Sequence, residues 1–162
     1  MKFQKQVVID EIDPDALTDV QTELIERSKA ASLRAYAPFS NFNVGCAVLL
    51  DNQIIIEGNN QENAAFPSGL CAERVALFYA GAQYPDAKVL KMAVTAISEQ
   101  FEVPLLLCPC GACLQVISES EQRSGSPIEI LLHAHERTFS ANGLEQFMPF
   151  AFRLLPKEDK PE

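Results

Sequence analysis

Three of the five cysteines in this 162-residue chain fall within six residues, Cys108-Pro-Cys-Gly-Ala-Cys113, and a fourth opens the tripeptide Cys71-Ala-Glu73. Five is an odd number and the start of the chain does not mark an oxidising compartment. A disulfide framework is therefore the poorer reading, and metal ligation or catalysis the better one. Zinc prefers thiolate and imidazole, with four protein ligands when structural and three plus a water when catalytic. The two histidines, His133 and His135, both come late, near a predicted strand end, which leaves the thiols as candidate ligands. Cys110 and Cys113 stand three apart at a predicted helix start, on one face, where the helix terminus favours thiolate. Cys71 stands at the start of another predicted helix. Any fold that uses all three must bring two helix N-termini together, leaving a fourth metal position for water.

The apolar pattern supplies the frame for this. Asp13-Pro14-Asp15 reads as a helix start with Asp13 as N-cap, and Leu17, Val20, Leu24, Ser28 and Ala31 continue one stripe to about Ala35, before the breaker Tyr36-Ala37-Pro38. Asn43–Leu50 and Gln53–Glu57, joined by Asp51-Asn52, predict a β-hairpin. A polar Gly58–Gly69 loop leads to a helix over about Cys71–Ala80 closed by Gly81. Strands follow near Val89–Ala96, Ile128–His133 and Arg137–Ser140, with a helix from CPCGAC to about Glu121 and a short helix near Asn142–Phe147. The expectation is an α/β fold, a three-layer α/β/α sandwich with a mixed five-stranded sheet. The whole of 1–162 reads as one domain: an N-terminal extension and helix over 1–35, a catalytic core over 36–155 and a solvated tail over 156–162.

Glu73 lies two residues past Cys71 on the first helical turn, close to the metal without having to bind it. A carboxylate beside a zinc-activated water can take its proton and deliver it elsewhere, and Cys or His ligands with a non-ligating Glu are the signature of zinc deaminases. With YAPFSNFNVGCAVLL (Tyr36–Leu50), GNNQENAAFPSGLCAERVA (Gly58–Ala76) and CPCGACLQV (Cys108–Val116), the chain resembles the cytidine deaminase family over about Tyr36–Val116, with a weaker echo in FMPFAF. The all-cysteine ligand set and short chain are similar to the family's small homotetrameric branch. The resemblance implies one Zn²⁺ per chain on Cys71, Cys110 and Cys113, with Glu73 shuttling the proton. Asn60 and Glu62 would hold the ribose hydroxyls, Phe42 would pack on the pyrimidine, and the Ala72 N–H would meet the base carbonyl. Arg74 would donate to the cysteine sulfurs; three thiolates leave Zn²⁺ formally −1, and a guanidinium withdraws that density. Phe152 matches a C-terminal aromatic that reaches a neighbouring subunit's site. The activity implied is hydrolysis of cytidine and 2′-deoxycytidine in pyrimidine salvage. The alternatives are a deaminase of another cytosine-type nucleoside, such as an antibiotic, and a non-catalytic zinc-stabilised interaction module.

Some positions depart from the family pattern. Leu114 stands where Arg is usual, Cys108 where Ser or Thr is common, and Phe66 where Tyr is frequent. Cys108 is expected to lend only its backbone, Cys46 to be a small core residue, and His133 and His135 to be a solvent-exposed pair at a strand end. A formal charge of −9, from 13 basic against 22 acidic residues, disfavours a nucleic-acid polymer and favours a small, uncharged or weakly charged ligand, which suits the nucleoside that the resemblance implies. No run reaches the ~20 apolar residues of a membrane span, and the acids after Val7–Ile9 do not suit a signal peptide. The cytoplasm, with no membrane partner, is the expected location.

Overall fold

The computed structural model describes residues 1–153, so the predicted tail at 156–162 lies outside the described residues. A mixed sheet of β1 (Asp10–Ile12), β2 (Phe42–Leu50), β3 (Ile55–Asn59), β4 (Val89–Ser98), β5 (Glu129–Ala134) and β6 (Arg137–Asn142) runs in the order β1-β6-β5-β4-β2-β3. Only β4 and β5 pair in parallel; the other neighbours are antiparallel. Helix α1 (Asp19–Ser32) covers one face, and α2 (Ala72–Gln83) and α3 (Gly111–Ser124) the other. The three-layer sandwich is thus as expected, with six strands among the described residues in place of five.

The period-2 alternation of side chains assigns the two faces. Cys46, Val48 and Leu50 of β2, Met92, Val94 and Ala96 of β4, and Ile130, Leu132 and Ala134 of β5 pack in one core cluster with Ala72, Ala76 and Leu77 of α2 and Ile117 of α3. The intervening Ala47, Leu49, Ala93 and Leu131 meet Leu24 and Ile25 of α1. Small residues let the layers approach closely. A Cβ on Gly45 would fall 1.9 Å from the Ser28 carbonyl oxygen of α1, and one on Gly58 would fall 2.5 Å from that of Ala72 and 2.6 Å from the Ala76 nitrogen. Gly58 thereby lets the first turns of α2 rest on the backbone of β3.

Several local expectations are corrected. Asp13 does cap a turn, accepting from the Asp15 N–H, but it caps a 3₁₀ turn at Pro14–Ala16. The α-helix begins afresh after Thr18, whose hydroxyl and Gln21 form a capping box. Its buried face is Gln21, Leu24, Ile25, Ser28, Ala31 and Ser32, leaving Val20 exposed. The β2–β3 connection, Asp51 to Ile54, has four residues rather than two, with Leu50 N–H donating to Ile54 O and Gln53 in the left-handed region at φ 67°. Gly81 does not end α2; it lies inside the helix, where a Cβ would come 2.9 Å from the Arg123 guanidinium. The sixth strand, β1, was not expected because three largely exposed residues carry no apolar alternation; it is held by backbone pairing to β6 and by the Glu11–Arg137 ion pair. No described helix is long and apolar enough to cross a membrane.

Candidate metal centre and substrate cleft

Two of the metal-site thiols sit at the N-cap of a helix, Cys71 before α2 and Cys110 before α3, both with extended backbone and neither using its side chain as a cap. The first-turn N–H groups of both helices are therefore not capped by these side chains, and the partial positive charge at each helix start favours thiolate. Cys113, one turn into α3, completes the group. The Cys71 and Cys110 sulfurs are 3.9 Å apart and those of Cys110 and Cys113 3.6 Å apart. All three lie within 4.8 Å of one another. Tetrahedral zinc with Zn–S of ~2.3 Å requires sulfur separations of about 3.8 Å, so the donor set and its spacing both fit the ion. Cys108 is exposed and outside the group, while Cys46 is fully buried on β2, its thiol pushed well up by burial.

The charges around the thiols are arranged asymmetrically. A hydrogen bond from Cys113, aided by Arg74 and Cys110, holds the Cys71 thiol well below its ordinary value despite the opposing effect of burial. An Arg74 Nη lies 3.8 Å from the Cys71 sulfur and donates to the Gly69 carbonyl at 3.3 Å. Glu73 is 4% exposed; burial raises its pKa above the ordinary carboxylate range, and the charge on Cys71 adds to this. A carboxyl group held there is suited to taking and returning a proton. Ala72, fully buried, supplies the first N–H of α2.

A cleft of about 320 Å³ opens beside Cys71 and Arg74, bounded by Asn60, Glu62, Phe39 and Phe66. Asn60 and Glu62, expected to face a sugar, also hold the chain itself. The Asn60 carboxamide oxygen accepts from the Val44 N–H at 2.7 Å, and its nitrogen donates to the Phe42 carbonyl at 2.9 Å. One Glu62 oxygen accepts from the Phe39 and Ser40 N–H groups at 2.8 and 3.3 Å, the other from the Ser40 hydroxyl at 2.5 Å. Burial alone would raise Glu62, but these donors keep its carboxyl below the usual value. Phe42, at the start of β2, packs half-buried against the main core cluster. Phe66 meets Phe39 edge to face, ring centres 5.5 Å apart.

The remaining singled-out residues lie outside this cleft. Phe152 is 70% exposed, its carbonyl accepting from Gln115, and its ring does not line the cleft of its own chain. Leu114 packs against the core cluster, consistent with an apolar residue at that position. His133 is not at the surface as expected: it is 7% exposed, on the face of β5 toward α1, with Nδ1 2.9 Å from the Thr138 hydroxyl. Burial lowers its pKa, and the neighbouring Lys29 charge lowers it further. His135 is exposed. Ser40 was missed entirely; its signal was a hydroxyl in the turn before β2, a residue type that bonds local backbone.

Comparison with known proteins places this geometry. The cytidine and deoxycytidylate deaminase zinc-binding region matches residues 18–124. A cytidine deaminase of Sporosarcina psychrophila is 41% identical over 97 residues, 60% of this chain and 67% of that protein. The fold is similar to the crystal structure of cytidine deaminase from Burkholderia pseudomallei, with a TM-score of 0.66 at 32% identity over 84% of this chain and all of that one. It is also similar to cytidine deaminase from Mycobacterium tuberculosis, with a TM-score of 0.64 at 29% identity over 85% of this chain and 99% of that one.

Proposed function

Since the chain belongs to the cytidine and deoxycytidylate deaminase family, we propose that it hydrolyses cytidine and 2′-deoxycytidine to uridine and 2′-deoxyuridine, releasing ammonia. The observation that carries this is three sulfurs at zinc spacing on two helix N-termini, with the buried Glu73 carboxyl two residues from Cys71. Cys71, Cys110 and Cys113 would hold one Zn²⁺ per chain. Zinc, when bound, supplies Lewis acidity and a water acidic enough to act near neutral pH.

Glu73 accepts a proton from the attacking water and passes it to N3 as the C4–O bond forms. It then moves the second water proton to the exocyclic nitrogen, the C4–N bond breaks, and ammonia leaves a C4 carbonyl behind. Its burial suits it to both the acid and the base step. The Ala72 N–H meets the base carbonyl, and Phe42 packs on the ring. Asn60 and Glu62 take the sugar hydroxyls with the hydrogen-bonding capacity their backbone contacts leave. Arg74, beside the Cys71 sulfur, draws electron density from the ligands. A carboxylate at the sugar disfavours a 5′-phosphate, so the substrate is the nucleoside. We further read 1–162 as a single catalytic domain working as a cytoplasmic homotetramer in pyrimidine salvage, with Phe152 reaching a neighbouring subunit.

The test is loss of the cytosine absorbance band with cytidine and deoxycytidine, and its dependence on Glu73. Glu73→Ala should keep one zinc per chain and lose at least 10²-fold in turnover, the scale of a general acid–base group. Full activity in that variant would refute the mechanism. Activity confined to a cytosine-containing antibiotic would reassign the substrate.

A further inference from the structure

Both polar backbone atoms of Phe42 are bound by side chains. Its N–H donates to the Ser40 hydroxyl oxygen at 3.1 Å, and its carbonyl accepts from Asn60 at 2.9 Å. Between Ser40 and Phe42 the chain passes through Asn41 in the left-handed region, φ 51°. Asparagine is among the non-glycine residues that enter this region most readily, and its N–H donates to the Ala37 carbonyl at 2.9 Å. On the Ser40 side, the hydroxyl that accepts from Phe42 donates its own proton to Glu62 at 2.5 Å. A single hydroxyl therefore links the carboxylate at the sugar end of the cleft to the residue that begins β2.

We propose that Ser40 is a positioning residue that sets the Phe42 ring and the Glu62 carboxylate as one unit. This rests on the deaminase reading, in which Phe42 meets the pyrimidine and Glu62 the sugar. Without the hydroxyl, one Glu62 oxygen loses its donor while the other keeps the Phe39 and Ser40 N–H groups. The turn stays closed, but the Phe42 N–H and the freed carboxylate oxygen no longer share a fixed point. Base and sugar contacts then loosen together, while the metal site on α2 and α3 is untouched.

The experiment measures kcat and KM for cytidine, zinc per chain and Tm for the zinc-loaded wild type, Ser40→Ala and Ser40→Thr, and for Ser40→Ala in a Phe42→Ala background. Loss of a hydrogen bond to a charged group predicts about a tenfold fall in kcat/KM for Ser40→Ala, with zinc retained. Ser40→Thr, which keeps the hydroxyl, should return to within about threefold of wild type. In the Phe42→Ala background, Ser40→Ala should add less than its full tenfold penalty, because the share that acts through the Phe42 ring is already lost while the share that acts through Glu62 remains. An active wild type with Ser40→Ala unchanged, no rescue by threonine, a full penalty in the Phe42→Ala background, or loss of zinc would each overturn the positioning role alone. A zinc-loaded wild type that leaves cytidine unchanged would overturn the deaminase reading and this inference with it.

Discussion

Replacing Gly58 with alanine asks the tight contact between β3 and α2 to yield, and the structure gives the size of the demand. The new Cβ would lie 2.5 Å from the Ala72 carbonyl oxygen and 2.6 Å from the Ala76 nitrogen, where ordinary contact begins near 3.4 Å, a retreat of about 0.9 Å. Both partners are helix backbone, so no side chain can rotate away and α2 must move as a body. That helix carries Cys71, Ala72, Glu73 and Arg74 in its cap and first turn. Zinc–ligand distances tolerate about 0.2 Å, so a shift of most of an ångström takes the Cys71 sulfur out of register with Cys110 and Cys113. Overpacking of this kind costs about 1–3 kcal/mol, which for a chain of this size lowers Tm by roughly 2 to 12 °C. The sign is diagnostic. Gly58 has no positive φ, so on unfolded-chain entropy alone alanine would stabilise by about 0.4–1 kcal/mol. Thermal unfolding, zinc per chain by elemental analysis and cytidine turnover are the assays. Gly45→Ala, a still tighter contact on the opposite face, is the control: it should lower Tm while leaving zinc affinity unaltered. A Gly58→Ala protein with raised Tm, one zinc and full turnover would refute the reasoning.

Ser118 on α3 is fully buried, and its hydroxyl has no partner among the described residues, so Ser118→Ala should raise stability by about 1 kcal/mol in denaturant titration; a loss of that size would reveal a hidden partner. Glu129 would be raised by burial, but Lys91 and Gln21 outweigh this and hold it below the ordinary 4.5. Its contribution to stability is therefore complete above pH 4.5 and lost as pH falls below it. Glu129→Gln should flatten the loss of Tm below that pH, and an unchanged acid limb would contradict the assignment. Arg74→Gln should weaken zinc retention against a chelator by about tenfold or more, the scale of outer-sphere changes at metal sites; retention equal to wild type would show that the guanidinium does not act on the sulfurs.

The parts legible in the sequence were those where one local pattern decides. Largely buried strands such as those read at Asn43–Leu50 and Val89–Ala96 are mostly apolar runs that few other elements tolerate, and the cysteine spacing marked the metal site before any coordinates. What escaped depends on tertiary partners. Pro14 is a good first helical residue, yet the better cap at Thr18, with Gln21 in the capping box, starts α1 later. Gly81 looked like a helix terminator because its value as space for Arg123 is set by α3. His133 looked exposed because α1, distant in sequence, is what covers it. Asn60 and Glu62 were readable as polar loop residues, but their hold on the backbone of Phe39–Val44 was not.

The uncapped starts of α2 and α3 carry a thermodynamic consequence. Each helix places a cysteine where Ser, Thr, Asp or Asn would ordinarily satisfy the first-turn N–H groups, at about 1 kcal/mol per cap. The native chain thus gives up local helix stability at two places, and a metal ion that binds only the folded form offsets it by mass action. The melting temperature becomes a function of free zinc, rising with its logarithm once the site is saturated and falling in chelator. The sheet and its two hydrophobic clusters make no use of the ligand sulfurs of Cys71 and Cys110. Metal loss therefore strips stability first from the two helix starts that carry the chemistry, so the surrounding zinc buffer sets the fraction of chains with an assembled site as well as the fraction that are charged with metal.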